Sequence, residues 1–474
     1  MKKLTKIIAT IGPASDSEEM IESLIRAGVD VFRFNFKHGE VEWHSERIIR
    51  VNDVARRLGV HIGTLIDLQG PEIRIHMPQN TLPITKGELL RFGPEAYNEG
   101  EKGFSINHPH IIEHLKDGQQ IIVDDGYYSF QIVRKGKEVF LKSETDGDLP
   151  TRKSLNIPGA DFPFPVLIDR DLEGLKLATR HDIDFIALSM VRSSQDMRTV
   201  REEAKKFGVN GKLVAKIETQ KALDDIDRII DASDGIMIAR GDLGVEIPIE
   251  RVPFYQKMII KNCMIQGKFV ITATQMLQTM IENPFPTRAE VSDIANAVYD
   301  LTDCVMLSGE TASGANPLKA VQMMEKTASF YELKTDEESR TKIQFSVRDT
   351  TALICDAAYD LYLDYVKANQ KVDGFLVFTQ TGLTATLLAR YRPKVPIFTL
   401  TPNTEVCESL SVNFAVIPFI FGFTDVEEVT LSELKRAALL LQKHDMLKAR
   451  RGKLIVIHGD QWGQGSGATT IRII

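Results

Sequence analysis

The chain has 474 residues, 43% hydrophobic and 26% charged, with a formal net charge of −7. That length supports two or three domains with a large buried core, and the composition is ordinary for a globular protein. The acidic balance, without a dense lysine–arginine block, excludes nucleic acid as the main partner. Cys263, Cys304, Cys355 and Cys407 are scattered without C-x-x-C spacing, which points to small core residues in a reducing compartment, not a zinc site or disulfide framework. In the basic start MKKLTKIIATIGPAS, Thr5, Lys6 and Thr10 interrupt any signal-like apolar core, and the most apolar later run, 414–423, is too short to span a bilayer. A cytoplasmic protein with no membrane partner is expected.

Strand and helix patterns alternate from the first residues. KIIATI (6–11) reads as a strand ending at Thr10, followed by a helix over 17–27. VFRFN (31–35) is the second strand, a helix covers 42–58, and HIGTLID (61–67) closes a third strand on Asp67. From about 69 to 161 the signals are short, strand-like and turn-rich, which predicts a small β-barrel lid domain inserted between the third strand and its helix. Alternation resumes with strands at 184–189, 213–217, 235–239, 269–274 and 304–307, completing the eight of a (β/α)8 TIM barrel. LKTDEESRTKI (333–343) reads as a linker, and strands at 374–379, 396–400, 415–418 and 453–458 predict a separate C-terminal α/β domain. The expected boundaries are 1–68 with 162–335 for the barrel, 69–161 for the lid and 345–474 for the last domain.

The stretch 212–248 carries the strongest chemical signal. Two short apolar strands joined by a polar helical segment each end in charge, the first in Lys216 and Glu218, the second in Arg240 and Asp242. In parallel α/β architecture the C-terminal strand ends are where ligands bind. Two carboxylates from neighbouring strands suit a hard divalent cation, Mg²⁺ or Mn²⁺, that leaves positions for substrate. Lys216 between them would stabilise a transferring phosphoryl group or an enolate. The turn 240–244 offers backbone N–H groups to a substrate carboxylate. The other strand ends carry Thr10, Arg33 with Asn35, Asp67, Ser189, Thr274, and Ser308 with Glu310. The hydroxyls of Thr10, Ser189 and Ser308 either join the site or cap the helices that follow.

Over nearly its whole length the chain resembles the pyruvate kinase family. The resemblance is carried by TKIIATIGPAS at Thr5, VFRFNFKHG at Val31, GPEIR at Gly70, VDDG at Val123, LNIPGA at Leu155, IALSMVRS at Ile186, VAKIE and IARGDLGVEIP. It continues in ITATQML at Ile271, NPFPTRAEVSDIANAV at Asn283 and DCVMLSGETA at Asp303. It implies phosphoryl transfer from phosphoenolpyruvate to ADP, giving pyruvate and ATP, by a homotetramer. By the same resemblance Glu218 and Asp242 hold Mg²⁺, while Lys216 and Arg33 hold the transferring phosphoryl. Thr274 supplies the enolate proton through water, the Gly241 and Asp242 amides take the carboxylate, and Ser189 contacts substrate. Asn35, His38, Arg74 and Lys153 fall at nucleotide positions, with Lys153 on a water-excluding lid.

Two departures stand out. The family's N-x-S-H-G is here Asn35-Phe36-Lys37-His38-Gly39, and its D-T-K-G is Asp67-Leu68-Gln69-Gly70. In the family the Asn, Ser and Asp side chains and the Thr carbonyl bind K⁺; here the matching set is Asn35, Lys37, Asp67 and Leu68. Lys37 cannot coordinate a cation but can substitute for one, so K⁺ is not expected to be required; a Lys37 turned to solvent, with K⁺ held by the remaining oxygens, stays open. Glu72, which in the family goes with K⁺ use, is retained and can be neutralised by Lys37. In the last domain Thr379, Thr381, Gly382 and Thr384 match the family's phosphate-cradling loop, while the closing loop 462–467 lacks the basic residue that holds a second phosphate. A phosphorylated effector fits better than a bisphosphate, and an ordinary Thr/Gly turn without a ligand stays open. Rival readings are a metal-dependent enolate lyase or aldolase, which needs no nucleotide clamp, and a non-catalytic sensor, which needs no such set of charges.

Overall fold

The computed structural model describes the chain except for residues 1–2, 99–100, 125, 161, 336–342, 344, 346–348, 423–428, 448–451 and 460–466. Eight parallel strands close into a barrel: Lys6–Thr10, Val31–Asn35, Gly63–Asp67, Phe185–Leu188, Lys212–Ile217, Gly235–Ala239, Phe269–Ala273 and Cys304–Leu307. These strands are buried almost throughout because helices cover the outside and side chains fill the inside. Adjacent residues face opposite ways: Ile8, Leu65, Val214 and Met237 fill the interior, whereas Ile7, Ile66, Ala215 and Ile236 pack outward against helices. The first helix, Glu18–Arg26, shows why the connections are helical. Ser17 caps it by accepting the Met20 N–H, and Glu18, Glu19 and Arg26 match its dipole.

One device repeats at the N-terminal rim of the barrel. Asp30, Asp184, Asp234 and Asp303 each stand immediately before the second, fourth, sixth or eighth strand. Each accepts a backbone N–H from the strand before it: Ile7 at 2.8 Å, Thr64 at 2.8 Å, Leu213 at 2.8 Å and Val270 at 3.0 Å. These carboxylates satisfy strand-start donors that would otherwise be buried without a partner.

Between the third strand and the helix Asp169–Arg180 a seven-stranded sheet and a two-stranded ladder enclose a core of Ile75, Leu90, Phe104, Phe130 and Leu141. This barrel-like unit occupies the place where the turn-rich stretch predicts an insertion. The C-terminal sheet runs Val416–Ile420, Ile397–Thr401, Val372–Phe378, Lys453–His458, Thr470–Ile473. Four of its strands are the predicted ones. The fifth, antiparallel to its neighbour, is an addition: a partly exposed edge strand has no apolar run to reveal it. Lys6 Nζ donates to the Val416 carbonyl at 2.7 Å and Lys212 Nζ to that of Ser409 at 2.7 Å, tying this unit to the barrel's N-terminal end. The four cysteines are buried and free, and among the described residues no helix is long and apolar enough to cross a membrane.

Candidate active site

The barrel brings its C-terminal strand ends to one rim, where Arg33, Lys216 and Glu218 form a network around Asp67. This carboxylate, 1% exposed, accepts Arg33 at 2.7 Å on one oxygen and faces the Lys216 ammonium at 3.2 Å on the other. Lys216 also meets Glu218 at 2.8 Å and donates to the Ser189 hydroxyl at 2.7 Å, and that hydroxyl donates to the Leu68 carbonyl at 2.7 Å. Arg33 is steadied by the Thr10 hydroxyl at 2.9 Å. Thr10 and Ser189 therefore serve the charge network and do not cap helices. Ser308 begins the short helix Gly309–Ala312 without a side-chain cap, and Glu310 turns inward to accept the Ser308 and Leu277 N–H groups.

Burial alone would raise Asp67, yet the Lys216 and Arg33 charges outweigh it and hold the carboxyl below its ordinary range. Burial opposes the charge on Lys216, but Asp67, Glu218 and Asp242 overcome it and keep the ammonium protonated. Glu218 goes the other way. Burial pushes it up and Asp242 adds to the rise, against the pull of Lys216. Its Oε2 accepts the Met190 N–H at 2.7 Å. Two carboxylates carrying mutual repulsion, Glu218 buried and Asp242 exposed on the cavity wall, are a donor set that a hard divalent cation would relieve. Among the described residues no cluster of three or more such ligands forms a closed cage; a Mg²⁺ site completed by substrate and water needs only two protein carboxylates. The fit is good.

Thr274 stands at the end of the seventh strand with φ +68°, followed by Gln275 at +54°. Left-handed backbone at two consecutive non-glycine residues is costly and needs to be held. Arg240 holds it, donating to the Thr274 carbonyl at 2.8 Å and the Ala273 carbonyl at 3.2 Å while Asp293 grips its guanidinium at 2.7 Å on both oxygens. The Thr274 hydroxyl accepts the Gly241 N–H at 2.7 Å and donates to the Ala273 carbonyl at 2.6 Å. The Gly241 amide thus already has a partner, which a substrate carboxylate would have to displace.

A cavity of about 430 Å³ opens above this network, lined by Arg33, Asn35, Lys37, Leu68, Ser189, Lys216, Glu218 and Asp242, with Phe162 and Phe164 on the lid side. Thr274 and Gly241 lie beside it, reached through Asp242, and His38, Arg74 and Lys153 are not part of its wall. Arg74 approaches through Glu72, at 2.9 Å. Lys153 is paired with Asp124 on the lid at 2.9 Å. The His38 carbonyl lies 2.7 Å from His44 Nε2, and burial lowers the His38 imidazole below its usual value. The Lys37 ammonium lies 2.5 Å from Glu72, and its backbone N–H reaches the Asn35 side chain at 3.3 Å.

In the C-terminal domain the Thr379 hydroxyl accepts the Gly382 N–H at 2.9 Å and that of Thr381 the Leu383 N–H at 3.5 Å, with Gly382 at φ +82° and Thr379 and Thr384 buried. Residues 462–466 of the predicted closing loop lie outside the described residues. Sequence reasoning gave no role to Arg240 as the clamp on Thr274, or to the Met190 amide on Glu218. The only signal for either is proximity to a strand end.

Known proteins resemble the chain from end to end. The family model described as the pyruvate kinase barrel domain matches residues 2–321, and that described as the pyruvate kinase alpha/beta domain matches residues 363–474. A pyruvate kinase of Thermotoga maritima is 38% identical, with 99% of each chain covered. One of Sporosarcina psychrophila is 40% identical over 88% of this chain and 71% of its own, and one of Bacillus licheniformis 37% identical over 99% and 80%. With two cations and two carboxylates set at the rim of a parallel barrel, and matches of this extent on either side of it, the chain belongs to the pyruvate kinase family and is a phosphotransferase.

Proposed function

We propose that the protein transfers the phosphoryl group of phosphoenolpyruvate to ADP, giving pyruvate and ATP as a step of glycolysis in the cytoplasm. The observation that carries this reading is the pair of cations, Lys216 and Arg33, fixed on one buried carboxylate, Asp67. Their charges are oriented before substrate arrives, so stabilising the equatorial oxygens of the phosphoryl in transfer requires no reorganisation. The bond from phosphorus to the enol oxygen breaks as one forms to the terminal oxygen of ADP, and the enolate left behind takes a proton at carbon through water ordered by Thr274. Glu218 and Asp242 would hold a divalent ion, Mg²⁺ or Mn²⁺, which supplies charge neutralisation at the phosphoryl oxygens. Ser189 and the Gly241 and Asp242 amides orient the substrate. The nucleotide is taken by Asn35, His38 and Arg74, and by Lys153 once the lid closes and it exchanges Asp124 for phosphate.

K⁺ is not required in this reading. Asn35, Asp67 and the Leu68 carbonyl lie where the family binds it, and the Lys37 ammonium brings a fixed positive charge to the same cavity wall and neutralises Glu72. The catalytic barrel comprises 1–68 and 162–335, the lid 69–161, and the regulatory domain 345–474, where Thr379, Thr381, Gly382 and Thr384 would take an effector phosphate. The assembly is a homotetramer. The test is initial velocity with phosphoenolpyruvate, ADP and Mg²⁺ in tetramethylammonium buffer, with and without KCl. Equal rates are expected; a rate only with KCl discards the role of Lys37, and no rate in either discards the reaction.

A further inference from the structure

The lid leaves the barrel after Asp67 and returns into the helix Asp169–Arg180, and the start of that helix grips both connections. Asp171 is fully buried. Its Oδ1 accepts the N–H groups of Gln69 at 2.9 Å and Gly70 at 3.2 Å on the outgoing connection, and its Oδ2 accepts that of Ile168 at 3.1 Å on the returning one. A helix cap needs only the last of these; the other two cross to another element. Arg170 lies 4.4 Å from the centre of the Phe36 ring and donates to the carbonyls of Phe36, at 3.4 Å, and Gly39. One turn on, Gly174 fits so closely that a Cβ there would stand 2.6 Å from Leu68 Cδ2.

The two segments held in this way are the floor of the site. Leu68 anchors Ser189, which anchors Lys216, and Lys37 lies between Phe36 and Gly39. The outgoing turn has no slack either. Gly70 has φ +69°, and a Cβ on it would lie 3.0 Å from the Ser189 carbonyl oxygen. Neither Asp171 nor Arg170 lines the cavity.

We propose that Asp171 and Arg170 are positioning residues for phosphoryl transfer. They fix the loop after the second strand and the first residues of the outgoing lid connection, so that Lys216, Ser189 and Lys37 hold their geometry while the lid moves. Motion is confined to the chain beyond Gly70 and before Ile168. This rests on the phosphotransferase reading, so the unmodified enzyme is assayed alongside; inactivity there counts against that reading and not against the positioning role.

Asp171→Asn keeps the shape but turns an amide NH₂ toward at least one of the three N–H donors. At an assay temperature well below its melting point it is expected to lower kcat by roughly 10–100-fold, as sub-ångström misplacement of a fixed cation does, and to raise KM for ADP. Arg170→Met removes the bonds to the loop carbonyls and keeps the packing on Phe36. It is expected to lower kcat and raise KM for phosphoenolpyruvate by about 5-fold or more. Lys176→Ala, on the exposed face of the same helix, controls for helix stability and should leave all constants unchanged. If Asp171→Asn fails to fold, Arg170→Met decides alone. Folded variants that melt earlier but keep kcat and both KM values within about twofold would reduce the two residues to structural caps and overturn the proposal.

Discussion

The two ends of the barrel both bury charge, and they do it in opposite ways. At the C-terminal rim Asp67 is shared by two cations, which hold its carboxyl low despite burial. At the N-terminal rim Asp303 stays raised by burial although the buried Arg392 guanidinium meets it, and Asp184 is pushed up to about 7. The partners explain the contrast. Asp303 and Asp184 are matched mainly to backbone N–H groups, Asp303 to Val270 at 3.0 Å and Phe414 at 3.0 Å, Asp184 to Thr64 at 2.8 Å, whereas Asp30 and Asp234 also meet cations, Lys3 with Lys6 and Arg201. Such bonds close the strand starts and dock the C-terminal domain. The other end carries an excess of ionic groups that the fold does not need, with Glu218 and Asp242 repelling each other. One end is arranged for stability and the other for chemistry.

The contrast breaks if a substitution at the upper end costs stability and leaves the rate intact. Glu218→Gln should do the reverse: kcat falls by roughly 10³-fold or more through loss of the proposed divalent-ion ligand, while removing a repelled buried carboxylate leaves the melting temperature equal or higher. Steady-state kinetics beside a thermal melt of the same preparation reads both. Arg392→Met is the mirror test. It leaves Asp303 buried without its cation, which costs about 3–5 kcal/mol of stability by denaturant titration, with kcat of the folded enzyme unchanged. A kcat loss as large as that of Glu218→Gln would show that the two ends are not separate.

Lys37 sharpens the comparison within the upper end, because it is less confined than Lys216. Its side chain is 32% exposed against 11%. Lys37→Ser should lower kcat/KM for phosphoenolpyruvate by about 10–100-fold in K⁺-free buffer, with added KCl restoring most of it, as expected if a hydroxyl returns the site to a cation. A loss that KCl does not restore would leave Lys37 as the partner of Glu72 only.

What could be read from the sequence followed from where the fold hides each residue. The eight barrel strands are legible because strands buried on both faces are apolar runs, and the lid because its turns interrupt every helical period. The edge strand Thr470–Ile473 was not, since none of its residues is fully buried. Lys216, Glu218, Arg33 and Asp242 are legible because a parallel barrel gathers its strand ends. The central role of Asp67 beneath them was not: its partners Arg33 and Lys216 converge on it from other strands. Asp171 gave no signal at all, because its contact with Gln69 spans 102 residues. The rim aspartates each precede an apolar run, but the N–H that each one accepts belongs to the strand before.

The smallest expected effect concerns Asp184, and it has a sign. Burial first, and then the Glu408 charge, push this carboxyl up to about 7, against the pull of the Thr64 bonds and Lys212. The folded state therefore binds this proton more tightly than the unfolded chain does, and the stability it contributes is full below about pH 4 and is lost as pH rises toward 7. Asp184→Asn keeps an oxygen for both the Thr64 N–H and its hydroxyl, and it removes the titration. The variant should match the parent near pH 4 and melt about 2–4 °C above it at pH 8. Glu408 and Lys212, with carboxyl and ammonium pushed to about 7 and about 8, still titrate in the variant, so its own melting temperature keeps part of the slope. If variant and parent instead separate at pH 4 and converge at pH 8, Asp184 is ionised throughout and is held by charge as Asp67 is.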